Sequence, residues 1–457
     1  MQLVGTRSRR RATYAAALAT TTTLALVLGV GAGTAHAADG PPGPSASPSA
    51  SPTTTATTAA TPGATASGTA TPTAPSTTGL STAPSPMGVS TTPSPTAVGP
   101  STATAAPLAP STARAATTAG NPAAGAAYLV RQLVGGDHLE STFDGATYAN
   151  YGGTADLAIA LASTGTQDGS LAKVLAYLLA HTADYADPGG TAASFPGPYS
   201  GAVGKLAVVA EITGQDPRSF GGFDLISTLT SHVCTAPDTA GNCTAAGDFS
   251  QAYSTVSQAF DVLALARAGV EPPVSAVARL EQLQCPDGGF SSTLITAGQT
   301  CTSDVDTTGF AVQALALVPA ATASVTSATQ YLLAQQEADG GFTGAAGENV
   351  NSTALVVQAL LAAPPVGAPA GAAAAARPRA SSSGAIRAGQ AYLAASQHAS
   401  GGFGVHKTDT ADDEFATAQA VPAVAGTSLT SLTHAVTPAA APTSAPTAAT
   451  TPAQPTA

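Results

Sequence analysis

Two carboxylic acids, Asp304 and Asp306, stand one residue apart at the head of the apolar run from Thr307 to Val318. An acid held at such a point could serve as a proton donor. To protonate a carbon–carbon double bond, its surroundings would have to make it unusually strong, and the carbocation formed would need aromatic faces around it. The chain has no Trp. The pair belongs to a set: Gly152, Ser200, Ser254, Asn351 and Asp412 head comparable apolar runs, with Asn349, Thr307, Ser352, Asp413 and Glu414 beside them. Tyr151, Tyr199 and Tyr253 directly precede the first three of these runs, where the later ones have Val305, Val350 and Ala411. Three phenol rings at the mouth of a cavity would suit an apolar ligand with a polar end, and packing against a neighbouring loop would use them equally well. Ser, Asn and Asp also cap helix N-termini, and acids there suit the helix dipole, so capping alone accounts for the polar set. Asp409, Asp412, Asp413 and Glu414 cluster without the spacing of a calcium loop, and no metal is expected. The histidines are scattered, with no Ser or Cys placed for a catalytic triad.

The elements that hold these positions are legible in an internal repeat. Gln284-Cys285-Pro286-Asp287-Gly288-Gly289-Phe290 returns as Gln336-Glu337-Ala338-Asp339-Gly340-Gly341-Phe342 and as Gln397-His398-Ala399-Ser400-Gly401-Gly402-Phe403. Before the first copy, Val274, Val277, Leu280 and Leu283 recur at the spacing of a one-faced amphipathic helix; after it, the helix from Thr307 to Val318 is apolar nearly all round. A helix apolar on every face must be covered on every face, so the second is an inner helix and the first an outer one. Aligned on the inner helices, the starts at Gly152, Ser200, Ser254, Asp306, Asn351 and Asp412 fall at intervals of 45 to 61 residues. Each interval accommodates one helical hairpin with its loop, and six hairpins can close a ring. The chain is therefore expected to be all-α.

The motif of glutamine, Asp-Gly-Gly (Ser-Gly-Gly in the last copy) and terminal phenylalanine, present three times within a six-fold recurrence of helical hairpins over roughly residues 121–432, resembles the signature of the prenyltransferase and squalene/terpene-cyclase repeat superfamily. That resemblance implies an α6/α6 toroid with all inner-helix N-termini at one end. It also implies that Asp304-Val305-Asp306-Thr307 is similar to the DxDD motif of class II terpene cyclases with its last acid missing, Asp306 matching the proton-donating residue. Protein prenyltransferase β subunits bind zinc through Asp, Cys and His, with Asp and Cys two residues apart, an arrangement none of the four cysteines here has. The cobalamin carriers of animals use the same toroid for binding. Function must be argued from the site, since silent and catalytic toroids share the scaffold.

Outside the repeat, residues 1–37 carry Arg7, Arg9, Arg10 and Arg11, an apolar run and Ala35-His36-Ala37, the pattern of a secretory signal. Residues 38–120 are a disordered linker of Pro, Ser, Thr, Ala and Gly, and 433–457 are a tail of like composition. Pro364 to Arg387 reads as a flexible insertion (364–387), and Pro422 should end or kink the last inner helix. In an exported chain the four cysteines favour disulfides, with Cys234 paired to Cys243 and Cys285 to Cys301 inside two loops. With 26 acidic against 15 basic residues, four of the latter in the leader, the folded part repels nucleic acid and anionic membranes. The expectation is a secreted or cell-wall-associated monomer, not an integral membrane protein, with no cofactor. It would bind, without catalysis, a small apolar or cofactor-like ligand through Tyr151, Tyr199, Tyr253, Asp306, Asn351 and Asp412. Two alternatives stand beside it: an enzyme of the terpene cyclase or prenyltransferase type using Asp306 as acid, and a structural cell-surface protein.

Overall fold

The computed structural model describes residues 119–188, 197–366 and 381–440. The leader (1–37), the linker up to residue 118, most of the insertion (367–380) and the end of the tail (441–457) lie outside the described residues.

Six helices are buried almost all round: α2 (Tyr151–Thr164), α5 (Ser200–Ile212), α7 (Thr255–Arg267), α9 (Val305–Leu315), α11 (Val350–Ala362) and α13 (Glu414–Val424). Ala, Val and Leu on every face of these segments leave no side for water. Each packs against the next, and α13 packs against α2, so the inner ring closes. Outside it lie α1 (Pro122–Gln132), α3 (Asp168–Ala180) with the short α4 (Thr182–Ala186), α6 (Leu225–Ser231), α8 (Val274–Gln282), α10 (Thr322–Ala334) and α12 (Ser382–Ser396). The outer helices bury a single face; in α8 only Ala276, Val277, Arg279 and Leu280 are covered. This is the mostly helical toroid that the repeat predicts.

The repeated motif is a staple between hairpins. The Gln284 carboxamide donates to its own turn at the Gly288 carbonyl (2.9 Å) and to the Ser324 carbonyl of the next outer helix (2.9 Å). Gln336 does the same to Gly340 (3.2 Å) and Ala385 (3.0 Å). Gln397 reaches Gly401 (2.9 Å) and, across the closure of the ring, the carbonyl of Asn121 (2.8 Å), whose N–H it accepts in return (2.7 Å). Gly288, Gly340 and Gly401 have φ of +95°, +100° and +94°, and a Cβ on any of them would run into the backbone carbonyl of that neighbouring helix. Each motif ends in a fully buried Phe whose N–H is taken by a threonine hydroxyl on the inner helix: Phe290 by Thr308, Phe342 by Thr353, Phe403 by Thr417.

The all-α expectation misses three two-stranded hairpins that, among the described residues, lie between outer and inner helices: β1–β2 (Glu140–Phe143, Ala146–Ala149), β3–β4 (Phe290–Ser291, Ser303–Asp304) and β5–β6 (Phe342–Gly344, Gly347–Asn349). The Asp144-Gly145 turn of the first, with φ of +48° and +73°, is a sequence signal for a tight hairpin. Helix α12 begins at Ser382 behind the cap Ser381, so the last residues of the 364–387 stretch, Arg387 among them, are helical and not insertion. Pro422 neither ends nor breaks α13, which runs on to Val424. Only a helix's last turn follows it, and the Pro422 carbonyl is satisfied by Thr427 (3.0 and 3.1 Å). The ordered chain also continues past Leu432. Residues 427–439 cross the C-terminal ends of the inner helices, where the carbonyls of Leu429 and Leu432 accept from Arg267, Gln313 accepts from the Leu429 N–H (2.9 Å), and Val436 and Ala439 pair with Thr213 and Ala172. Cys234 is joined to Cys243 and Cys285 to Cys301, the pairing expected from the sequence. No described helix is long and apolar enough to cross a membrane.

Candidate functional site

Five of the six inner-helix N-termini carry a side-chain cap, and in four of the five it is a residue other than the head of the apolar run. Asn150, Ser254, Asp304, Asn349 and Asp413 accept the N–H groups of Gly153, Ser257, Thr307, Ser352 and Ala416 at 2.7 to 3.1 Å. Of the expected heads, only Ser254 is a cap. Asp304, the weaker candidate acid, is committed to this task, taking both the N–H and the hydroxyl of Thr307 (2.8 and 2.7 Å).

Asp306 and Asn351 are freed from capping by that shift of two residues, and both turn into the seams between inner helices. Asp306 lies against Ser352 of α11. Burial pushes its carboxyl up to about 7, the Asp304 charge adds to this, and the Ser352 hydroxyl offsets part of it. Its Oδ1 is buried without a hydrogen-bond partner. Asn351 donates to Gln419 on α13 (3.1 Å), while its own Oδ1 is buried and unpartnered. Two further groups of the same kind are the hydroxyl of Ser200, which heads its apolar run on α5, and both oxygens of the Asp261 carboxyl on α7, a residue the sequence does not single out. Asp261 is fully buried beside Gly204, and burial raises its pKa well above the usual range, with Ser200 offsetting only part of the effect. Four successive inner helices thus each bring an incompletely satisfied buried polar group, Ser200 beside Asp261, Asp306 beside Ser352, and the Asn351 amide oxygen. Beside Asp261 on α7, and one turn past Asp306 on α9, Phe260 and Phe310 meet at 5.2 Å between ring centres. The Lys205 ammonium sits 5.3 Å from the Phe260 ring and pairs with Asp156 of α2 (2.9 and 3.0 Å). Burial works to lower the Lys205 pKa, but Asp156 more than reverses it and the net change is upward. At the far end Glu211 pairs with Arg267 (3.2 Å); burial pushes its carboxyl up to about 7 against the pull of that guanidinium.

The remaining expected residues divide. Tyr199 and Tyr253 do come together, 5.9 Å apart, and Tyr253 stands half-exposed with its hydroxyl on Gln251 (2.8 Å). Both Gln251 and Tyr253 hold φ of +59°, an uncommon backbone for non-glycine residues that fixes the ring at the rim. Tyr151 is separate: it is buried in a stack with Tyr177, His181 and Tyr185 at 5.9 to 6.1 Å. Asp412 is not with the others. It pairs with His398 (2.7 Å) and packs over Gly402 in the last staple turn, because Asp413 and not Asp412 begins α13. Among the described residues no group of three or more His, Cys, Asp or Glu could hold a metal ion. The arrangement offers a desolvated, weakly acidic carboxyl, an amide and a hydroxyl near one end of the ring, with aromatic rings below.

Residues 223–361 and 256–439 match the family described as the prenyltransferase alpha-alpha toroid domain. No curated protein matches the chain. Similar solved structures include a protein from Actinoplanes (16% identity, 67% of this chain and 98% of that one, TM-score 0.47). Another is the type II terpene cyclase MstE from Scytonema without ligand (15% identity, 66% and 96%, TM-score 0.46). A third is ent-copalyl diphosphate synthase from Streptomyces platensis (20% identity, 60% and 50%, TM-score 0.38).

Proposed function

We propose, for a chain that carries a prenyltransferase alpha-alpha toroid domain, that its ring binds a small, uncharged and partly apolar molecule near the N-terminal end of the inner helices and does not transform it. The observation that carries this reading is the set of incompletely satisfied buried polar groups on α5, α7, α9 and α11. A buried polar group left unsatisfied costs about 1–3 kcal/mol, so under-satisfied groups on adjoining helices carry a standing cost that a ligand's hydroxyl or carbonyl would relieve. Phe260 and Phe310 supply apolar faces for the rest of the molecule. The excess of acids argues against phosphorylated ligands and nucleic acid.

Asp306 supports binding over catalysis. With a pKa of about 7 it holds a proton near neutrality and can donate a hydrogen bond, yet that value makes it a weaker acid than an ordinary carboxyl, the opposite of what alkene protonation requires. The cyclase reading rests on the position of Asp306 alone. Export is supported by the two disulfides and by the form of the leader, and a monomer remains part of the proposal.

The test is titration of the full chain with geranylgeraniol and with its diphosphate, followed by native mass spectrometry. The alcohol should form a one-to-one complex, the diphosphate should not, and Asn351→Leu should weaken the complex at least tenfold. Binding indifferent to Asn351→Leu would overturn the site. A cyclised product that disappears in Asp306→Asn would overturn the non-catalytic reading.

A further inference from the structure

Four of the seams between successive outer helices share one construction on the outside of the ring. A turn glycine (Gly247, Gly288, Gly340, Gly401) rests on a backbone carbonyl of the next outer helix, at Ser275, Ser327, Ala388 and Ala124 respectively. Four residues further along that helix come Arg279, Tyr331, Tyr392 and Tyr128. One helical turn places these side chains above the glycine, facing the turn.

Three of the four seams are filled by a cation of the chain itself. At the first, Arg279 pairs with Asp248 at 2.7 Å, both buried. At the third, Lys407 pairs with Asp339 at 2.9 Å and sits 4.9 Å from the centre of the Tyr392 ring. At the fourth, Arg131 lies 5.7 Å from the Tyr128 ring centre and donates to the carbonyl of Ser400, the residue aligned with Asp339. The second seam has the same acid, Asp287, and the same ring, Tyr331, but among the described residues no cation reaches either. In its place is an open groove of about 480 Å3 lined by Asp287, Tyr331, Ser327, Gln330, Gln335 and Gln284. Lys407 follows its motif phenylalanine by four residues; the same count from Phe342 leads to Ala346.

We infer that the groove between Asp287 and Tyr331 is a binding site for a primary alkylammonium group, which takes the place that Lys407 occupies between Asp339 and Tyr392. The carboxylate is available. Asp287 is exposed, and its Oδ1 takes the Ser303 hydroxyl (2.5 Å) and the Gly289 N–H (3.1 Å), bonds that orient the group without neutralising it. The ring stays a neutral phenol in a field of acids: the Tyr331 hydroxyl is pushed up to about 12, by burial first and then by Asp287, Asp304 and Asp306. A cation over such a ring gains from its quadrupole as well as from the acids, and the amides at the rim can accept the remaining ammonium protons. The Cys285–Cys301 bridge and the Gln284 staple hold the turn that carries Asp287, so the site is fixed before a ligand arrives.

Calorimetric titration of the full chain with butylammonium, with butanol as the neutral control, tests the assignment. Wild type should bind one butylammonium and no butanol. Asp287→Asn and Tyr331→Leu should each weaken binding at least tenfold, and Lys407→Ala, which vacates the equivalent seam, should raise the stoichiometry to two. Nα-acetyl-lysine methylamide separates the two sources of the ligand: tighter binding than butylammonium assigns the site to a protein lysine, weaker binding to a free amine. Absence of saturable binding, binding that Asp287→Asn leaves unchanged, or a Lys407→Ala protein that gains no second site would overturn the inference.

Discussion

Replacing Asp306 by Asn should stabilise the protein at alkaline pH and leave it nearly unchanged in acid. The carboxyl has a folded-state pKa of about 7 against an ordinary 3.8, raised by burial and then by Asp304. Between those values the folded chain keeps a proton that the unfolded chain has lost, so stability falls as pH rises through this window and levels off above it. Three pH units correspond to about 4 kcal/mol as an upper bound; Asp306 retains some exposed surface, and about 2 kcal/mol is the expected size. Asn cannot ionise and presents a similar shape to Ser352. Urea unfolding of both proteins from pH 4 to pH 8 isolates the effect, because every other titrating group is common to the two. The difference should be small at pH 4, open steadily between pH 4 and 7, and favour Asn by about 2 kcal/mol at pH 8. A constant loss of about 1 kcal/mol at every pH, the signature of a missing helix cap, would refute this reasoning and return Asp306 to the capping role that Asp304 fills here.

Gln397→Leu removes three hydrogen bonds, two of them the link between the last hairpin and Asn121, and should cost about 2–3 kcal/mol by chemical denaturation, against about 1–2 for Gln336→Leu with its two bonds. Equal losses would mean that ring closure does not depend on this staple. Cys285→Ser with Cys301→Ser opens a loop spanning 16 residues and should lower stability by about 3 kcal/mol in the same assay, without loss of helical circular dichroism.

The ring was legible because its cause is repeated. Six apolar helices cannot hide in a sequence, and a Gln-to-Phe motif whose glycines must sit on a neighbour's carbonyl tolerates few substitutes. The site was less so, for a specific reason. The first residue of an apolar run does not mark the helix start, which lies at the residue whose carbonyl the inner threonine hydroxyl reaches: Thr154 bonds Asn150, Thr308 bonds Asp304, Thr353 bonds Asn349 and Thr417 bonds Asp413. Counting four back from those threonines would have given every one of these caps, moved Asp306 and Asn351 inside their helices, and separated Asp412 from them. Asp261 and Lys205 escape because one polar residue inside an apolar helix reads as a break in the pattern; Gly204 makes room for Asp261, Ser200 offsets part of its burial, and the Asp156 carboxylate pairs with Lys205. The crossing of residues 427–439 had no local signal at all, being written in Arg267 and Gln313 far upstream, whose polar groups need its backbone. The same logic bears on the groove at Asp287: a repeat makes an omission visible, and Ala346 where the next repeat has Lys407 is meaningful only because three other seams show what the fold otherwise places there.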